Sequence, residues 1–497
     1  MVVIRARRTP ALRRLALVGA ALAVGLGAIG LSGVLSATGS SFPAATPQAA
    51  CGPGAREETG LQGRVPQADY DSGRAARGYR CNTRQVSHQG RTGGFKVLRY
   101  TDVRGHTCAF YDSTLLFPKD AAFQLVAGEG IGLVVLDMDD PRNPRKTATL
   151  TTAAMDTPHE SVLVNQRRGL LAAVSGNAAT LPGVFDLYDV RTDCRHPRLL
   201  SSTPSAVLGH ESGWSPDGLT FYASSTAGQT LVALDLTDPT SPTPIFTQAG
   251  VNYHGMRVSP DGRTLYVANI GNSDTGARFS TGGLRILDVS EIQDRVPNPQ
   301  ARVVSDLTWP EHSIPQVPQP FTRNGRDYLL EVDEFANYSL SAGADQSSAP
   351  VGAARIIDVT DPERPVVVSN LRLQVHQPGA RRGPQQDDPG ARIPVQGYAA
   401  HYCSVPYARN PRVVACSMIL SGLRIFDISS LTRPREVGYF NEPLTGTRPD
   451  NPTASGAFAM SQPAFDVRRR TVWYTDGNSG FYAVRLANGA GRLLTPR

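Results

Sequence analysis

LVALD at Leu231–Asp235, followed by Asp238-Pro239 and Pro242, decides the fold. An apolar run with β-branched residues, closed by a turn signal, reads as a strand. The Asp side chain can accept a backbone N–H two residues on and start the turn. The Pro that follows fixes φ and stops pairing. The phrase returns with its marked Asp at Asp137, Asp189, Asp288, Asp358 and Asp427, and in degenerate form at Arg485, at spacings of 46 to 70 residues.

Upstream of each copy lie two further strands joined by a turn. The clearest turns are Ser215-Pro216-Asp217-Gly218 and Ser259-Pro260-Asp261-Gly262, with Pro at i+1 and a Gly free to take positive φ. A further strand follows each Pro, as in PVVVS at Pro365–Ser369. Four-stranded units at this spacing are propeller blades, since one blade cannot bury both of its faces and a ring of stacked blades can. The expectation is therefore all-β: a single seven-bladed β-propeller of four-stranded antiparallel blades over residues 95–497. An N-terminal strand pairing in the last blade would close the ring and remove the open seam. Residues 95–102 are expected to be that strand, with Arg492–Thr495 as the alternative and the first inner strand starting near His106. Residues 51–94, polar and rich in Gly and Arg, read as an N-terminal extension, partly ordered and pinned by Cys51 or Cys81.

The six good copies make the chain resemble the LVIVD-repeat proteins, exported bacterial β-propellers, over about residues 95–490. That resemblance implies the fold; it implies little about activity, because fold does not fix function.

The first 50 residues read as an address. Five arginines fall before residue 15, and an uncharged apolar run covers Leu15–Leu35, followed by small residues to Ala50. This is the pattern of an export signal. The run is also long enough to span a bilayer, so a single-pass anchor is the alternative. Either way the bulk of the chain is expected outside the cytoplasm, secreted or at the cell surface, with membrane contact only through this segment. The net charge of +7 owes five charges to these arginines. The rest carries scattered charge and no basic patch, which excludes a nucleic-acid partner.

Six cysteines in an exported chain point to disulfides. Cys403 and Cys416 are centred on the turn Ala408-Arg409-Asn410-Pro411, so a hairpin would set them opposite each other within bridging reach. The pairing of Cys51, Cys81, Cys108 and Cys194 is left open. None lies in a CxxC, which argues against structural zinc.

Six of the nine histidines fall in phase, at or just before an expected inner strand: His106, His159, His210, His254, His312 and His401. Such a position lies at the mouth of a propeller's channel. Two readings stand. In one, each His braces a turn of its own blade, as in the WD-repeat propellers. In the other, His159, His210, His254, His312 and His401 converge on a single transition metal (Cu, Fe or Zn), which imidazole suits. Glu160, Glu211 and Glu311 would then be carboxylate acceptors that set the ring tautomers. The second reading resembles the axial His clusters of the carotenoid-cleaving oxygenases and the selenium-binding propellers, in the phase of the histidines alone. Glu331, Asp333 and Glu334 read as a solvated strand end.

Four long insertions, 271–282, 334–352, 374–399 and 441–457, fall on the face where the inner strands begin. Loops elaborated on one face of a repeat array mark a binding face. No GxSxG, P-loop, HExxH or GxGxxG is present. The sequence thus supports an extracellular module that binds an unknown ligand or protein on this face, or a metal-dependent enzyme, oxidase-like or hydrolytic, built on the axial histidines.

Overall fold

Each Asp that closes a repeat does what its position requires. Its Oδ1 accepts the backbone N–H two residues on: Asp137 from Asp139 at 3.0 Å, Asp189 from Arg191 at 2.8 Å and Asp235 from Thr237 at 3.2 Å. Asp288, Asp358 and Asp427 do the same toward Ser290, Thr360 and Ser429 at 2.9, 3.0 and 2.8 Å. The third strand of six blades therefore ends in the same turn. The computed structural model describes residues 42–113, 131–175, 183–206, 209–225, 229–271, 282–309, 311, 313–334, 351–386, 388, 397–444 and 457–495.

The strands form seven antiparallel sheets, a seven-bladed β-propeller. The inner strands are, in blade order, Val97–Thr101, Leu163–Asn165, Ser212–Trp214, Tyr253–Val258, Ile314–Arg323, Tyr402–Ser404 and Ala464–Asp466. Every blade shows a register shift where its third and fourth strands pair. Such bulges add local twist. Because side chains alternate across a strand, each sheet feeds two separate cores. Phe110 of blade 1 packs with Leu171 and Tyr188 of blade 2, while its neighbours Ala109 and Tyr111 pack with Trp473 and Phe481 of blade 7. The interior is a series of apolar layers between blades, leaving the polar ends of the inner strands to meet at the axis.

The ring is closed by an N-terminal strand in the last blade, but that strand is Thr83–Gln89, paired with Gly480–Leu486. Residues 95–102 do not fill this role: Val97–Thr101 is the inner strand of blade 1. The reason is the turn after it. Asp102 Oδ1 accepts the N–H groups of Arg104 and His106 at 2.9 and 3.0 Å, and Gly105 takes φ +91°. This makes a hairpin to Thr107–Asp112, and His106 falls in that turn, at the far end from the channel mouth. Its Nδ1 lies 2.7 Å from Asp139 Oδ2. The alternative closing segment is a 3₁₀ turn, Ala490–Leu494.

The extension is more structured than its composition suggests. Tyr79–Cys81 adds a fifth strand to blade 6, beside Tyr439–Asn441. Asn82, at φ +53°, then turns the chain into the blade 7 strand. Arg424 sits buried between Glu58 of the extension and Glu436 of blade 6. Insertion 374–399 is described in part, and Val375 donates its N–H to Gln62 of the extension at 3.3 Å. Most of the other three insertions lies outside the described residues.

All six cysteines are paired. Cys403 and Cys416 stand in register across the first hairpin of blade 6 and are bonded, as their spacing suggests. Cys51–Cys81 ties the extension to its own strand, and Cys108–Cys194 joins blade 1 to blade 2. Three disulfides belong to an oxidising, extracellular setting. Among the described residues no helix is long and apolar enough to cross a membrane. The segment read as signal or anchor lies in residues 1–41, outside the described residues.

Candidate metal centre

The entries to the inner strands carry the site. His159 and Glu160 precede the inner strand of blade 2, and His210 and Glu211 precede that of blade 3. His254 is the second residue of blade 4's inner strand, and His401 precedes blade 6's. Blade 5 supplies Gln316 from its inner strand and Glu334 from the end of its second strand, Arg326–Glu334. His159 takes φ +50°, a left-handed conformation rare without glycine. Strain of this kind gathers at functional sites. Here it accompanies two consecutive side chains, His159 and Glu160, turned toward the same cluster.

Glu160 is the hub. Its Oε2 lies 3.3 Å from His210 Nε2 and 3.4 Å from His254 Nε2. Its Oε1 lies 3.1 Å from His401 Nε2 and accepts from Gln316 Nε2 at 2.6 Å. Glu334 faces the same rings: Oε1 is 3.4 Å from His254 Nε2, and Oε2 is 3.0 Å from His401 Nε2. His210 and His254 present their Nε2 atoms to each other at 2.6 Å.

The tautomers follow from partners that can only accept. His254 Nδ1 is 2.8 Å from the carbonyl of Pro315, and His401 Nδ1 bonds the carbonyl of Met460. Each Nδ1 must therefore carry the proton, as in histidines oriented for a metal. In the neutral ring each Nε2 then presents a lone pair to carboxylate oxygens. Such an arrangement requires positive charge, either protons on the rings or a bound cation. Burial opposes charge on His254 and His401, but the two carboxylates outweigh it. His254 is raised, and His401 is pushed up to about 10. Glu160 would be raised by burial, yet the three imidazoles hold it well below the usual carboxylate range. His159 goes the other way: burial and the adjoining imidazole of His210 keep it neutral.

His159 Nδ1 makes no hydrogen bond in this buried place, although buried polar atoms almost always find one, and Glu160 Oε2 meets the rings of His210 and His254 only at 3.3 and 3.4 Å. Candidate ligand atoms of His159, Glu160 and His210 lie within 4.8 Å of one another, and so do those of Glu160, Glu334 and His401. His210 keeps 23% of its side chain exposed, whereas His254 and His401 keep 1% and 0%. Access to the centre is from the His210 side.

The structure thus brings together His159, His210, His254 and His401 of the sequence-read set. His312 lies outside the described residues. Glu160 stands among the rings themselves; for His254 and His401 backbone carbonyls accept the ring N–H, while Glu211 and Glu311 face cations. Glu211 is bound to buried Lys96, to Arg257 at 2.8 Å and to the Tyr402 hydroxyl at 2.6 Å. Glu311 faces Arg372 and Arg355 at 3.4 and 3.6 Å. The Glu331–Glu334 stretch is no solvated strand end. Glu331 and Asp333 are buried on Arg355, whose guanidinium lies 3.8 Å from the Trp309 ring, and Glu334 is one of the axial carboxylates. Lys96 and Gln316 carried no sequence signal.

No family model matches the chain, and no curated protein sequence matches it. Among solved structures, the periplasmic gluconolactonase of Pseudomonas aeruginosa is similar at 15% identity, covering 71% of this chain and 87% of that one with a TM-score of 0.49. A protein from Lactobacillus plantarum is similar at 13% identity, 71% and 88% coverage and a TM-score of 0.48. Hydrazine synthase from Kuenenia stuttgartiensis follows at 12% identity, 81% and 97% coverage and a TM-score of 0.47. These are likenesses of fold and say nothing of the axial chemistry.

Proposed function

We propose that this chain is an exported, LVIVD-type propeller acting as a metal-dependent enzyme, its centre held by His159, His210, His254, His401, Glu160 and Glu334. The observation that supports this is the convergence of three Nε2 atoms on two carboxylates, with two of the rings fixed through Nδ1 to backbone carbonyls. Nitrogen and oxygen donors without sulfur suit Zn, Fe or Mn better than Cu(I). A bound divalent ion supplies a water that ionises near neutral pH. The protein's own part is to aim the rings, keep Glu160 ionised and leave one approach beside His210. Hydrolysis of a small polar substrate is the reaction such a centre supports best.

The test is elemental analysis of exported protein purified without a His tag, beside assays on small chromogenic esters and phosphate esters. Bound Zn, Fe or Mn, and hydrolysis abolished by a chelator and by His210→Ala with His254→Ala, is the expected result. Metal-free protein that folds and melts unchanged with those substitutions would overturn the reading. It would leave a metal-independent module binding its partner through the insertion-rich face.

A further inference from the structure

We infer that the centre takes two metal ions, with Glu160 as the bridge between them; this rests on the metal reading above and deepens it. The donors fall into two triangles that share one carboxylate. The first is His210 Nε2, His254 Nε2 and Glu160 Oε2, with separations of 2.6, 3.3 and 3.4 Å. The second is His401 Nε2, Glu160 Oε1 and Glu334 Oε2, in which the nitrogen lies 3.1 and 3.0 Å from the two oxygens. Donors that share one ion through bonds of about 2.0–2.2 Å lie roughly 3.0–3.5 Å apart; the edges to the carboxylate oxygens in both triangles have these dimensions, and only the His210–His254 edge is shorter and would open as an ion enters.

A single ion does not account for both triangles. Glu160 turns one oxygen to each, and Glu334 repeats the pattern, with Oε1 3.4 Å from His254 and Oε2 toward His401. Two carboxylates that divide their oxygens between the same pair of places match a pair of ions about 3.5–4 Å apart. His159 gives independent support. It is 7% exposed, its Nδ1 has no partner, and its ring lies 4.5 Å from that of His210. It is the spare nitrogen on the side of the first triangle, and its left-handed backbone brings it there. The second triangle has its own support in Gln316, whose amide fixes Glu160 Oε1 and reaches within 3.3 Å of His401 Nε2.

The experiment is a titration of chelator-treated, untagged full-length protein with cobalt(II), followed by visible absorption and by calorimetry. Wild type should saturate at two equivalents per chain. Glu334→Gln and His401→Ala should each saturate at one, since the first triangle survives in both. Should His401→Ala fail to fold, the near-isosteric Glu334→Gln carries the comparison. Saturation of wild type at one equivalent would overturn the second ion and leave the metal reading intact. Two equivalents retained in the variants would overturn the assignment of the second triangle. No bound cobalt in wild type would overturn both readings.

Discussion

His210 and His254 reach the axis from neighbouring blades and bring their Nε2 atoms to 2.6 Å, closer than two nitrogens stand unless they share a proton. The His254 Nδ1 proton is committed to Pro315. Removing His254 takes away one corner of the first triangle and leaves the inner face of Glu160 exposed to one ring fewer. His254→Ala is expected to weaken metal binding by more than about 100-fold, beyond the 10–100-fold typical of losing an outer partner. Metal at 100 times its Kd stabilises a folded protein by about 2.7 kcal/mol. The part of the metal-induced rise in Tm that the first ion supplies should therefore be lost in the variant; an unchanged rise would show that His254 is not a ligand.

Gln316 acts through Glu160. Its amide holds Oε1 at 2.6 Å inside a buried site. Gln316→Leu keeps the volume and removes that hold, so metal affinity is expected to fall about 10- to 100-fold. Cobalt titration checks this. Gln316→Glu should not rescue it, because a second anion would face Glu160.

Lys96 is fully buried and paired with Glu211. Burial draws its ammonium down to about 8, against the pull of Glu211. Lys96→Met strands part of a buried negative charge, and breaking such a pair costs about 3–5 kcal/mol. Denaturant unfolding should show that loss. Adding Glu211→Gln should recover part of it; no recovery would mean that the two residues are not coupled.

Glu442 sets a dependence on pH. Burial, then the neighbouring Asp476, pushes its carboxyl well above the usual range, while the Tyr474 hydroxyl donates to it at 2.6 Å. The folded chain thus keeps a proton that the unfolded chain releases above about pH 4.3. This contribution favours folding at low pH and is lost as pH rises toward the folded pKa, by up to about 1.4 kcal/mol per unit. Glu442→Gln should melt close to wild type at pH 4.5 and higher than wild type at pH 8. An equal difference at the two pH values would dismiss the idea.

Cys51–Cys81 closes a separation of 30 residues between the extension and the fifth strand of blade 6. On the chain-entropy model such a loop contributes about 3.5 kcal/mol. Replacing both cysteines with Ser should lower the unfolding midpoint accordingly and open residues 44–80 to limited proteolysis first. Protection unchanged at those sites would show that packing alone holds the extension.

The blades were legible because their signals are local. A strand, an Asp bonding two residues on and a Pro lie within about ten residues of sequence. The histidine phase was legible for the same reason, since His159, His210, His254 and His401 all fall within a few residues of the start of an inner strand. The start of blade 1 was not. Alternation is the same in an inner and an outer strand, and the turn at Asp102–Gly105 has no Pro to mark it, so the register slipped by one strand and carried His106 with it. Glu334 and Gln316 were hidden for a different reason. Their partners lie on other blades, and which strand end meets which across the axis is fixed by ring closure. The left-handed turn of His159 leaves no trace in residue type.

The segment Thr83–Gln89 pairs with Gly480–Leu486, so the partner of an early piece of chain is among the last to be made. As the chain folds, this early piece must wait through six blades before its place exists, and the edge of Gly480–Leu486 stays bare until it arrives. Assembly therefore ends with one long-range event, slow because its ends are far apart along the chain. Once that event has occurred, no blade sits at a free end from which the ring could unravel. A protein built this way is difficult to finish and difficult to take apart, a useful property in the oxidising setting its three disulfides indicate.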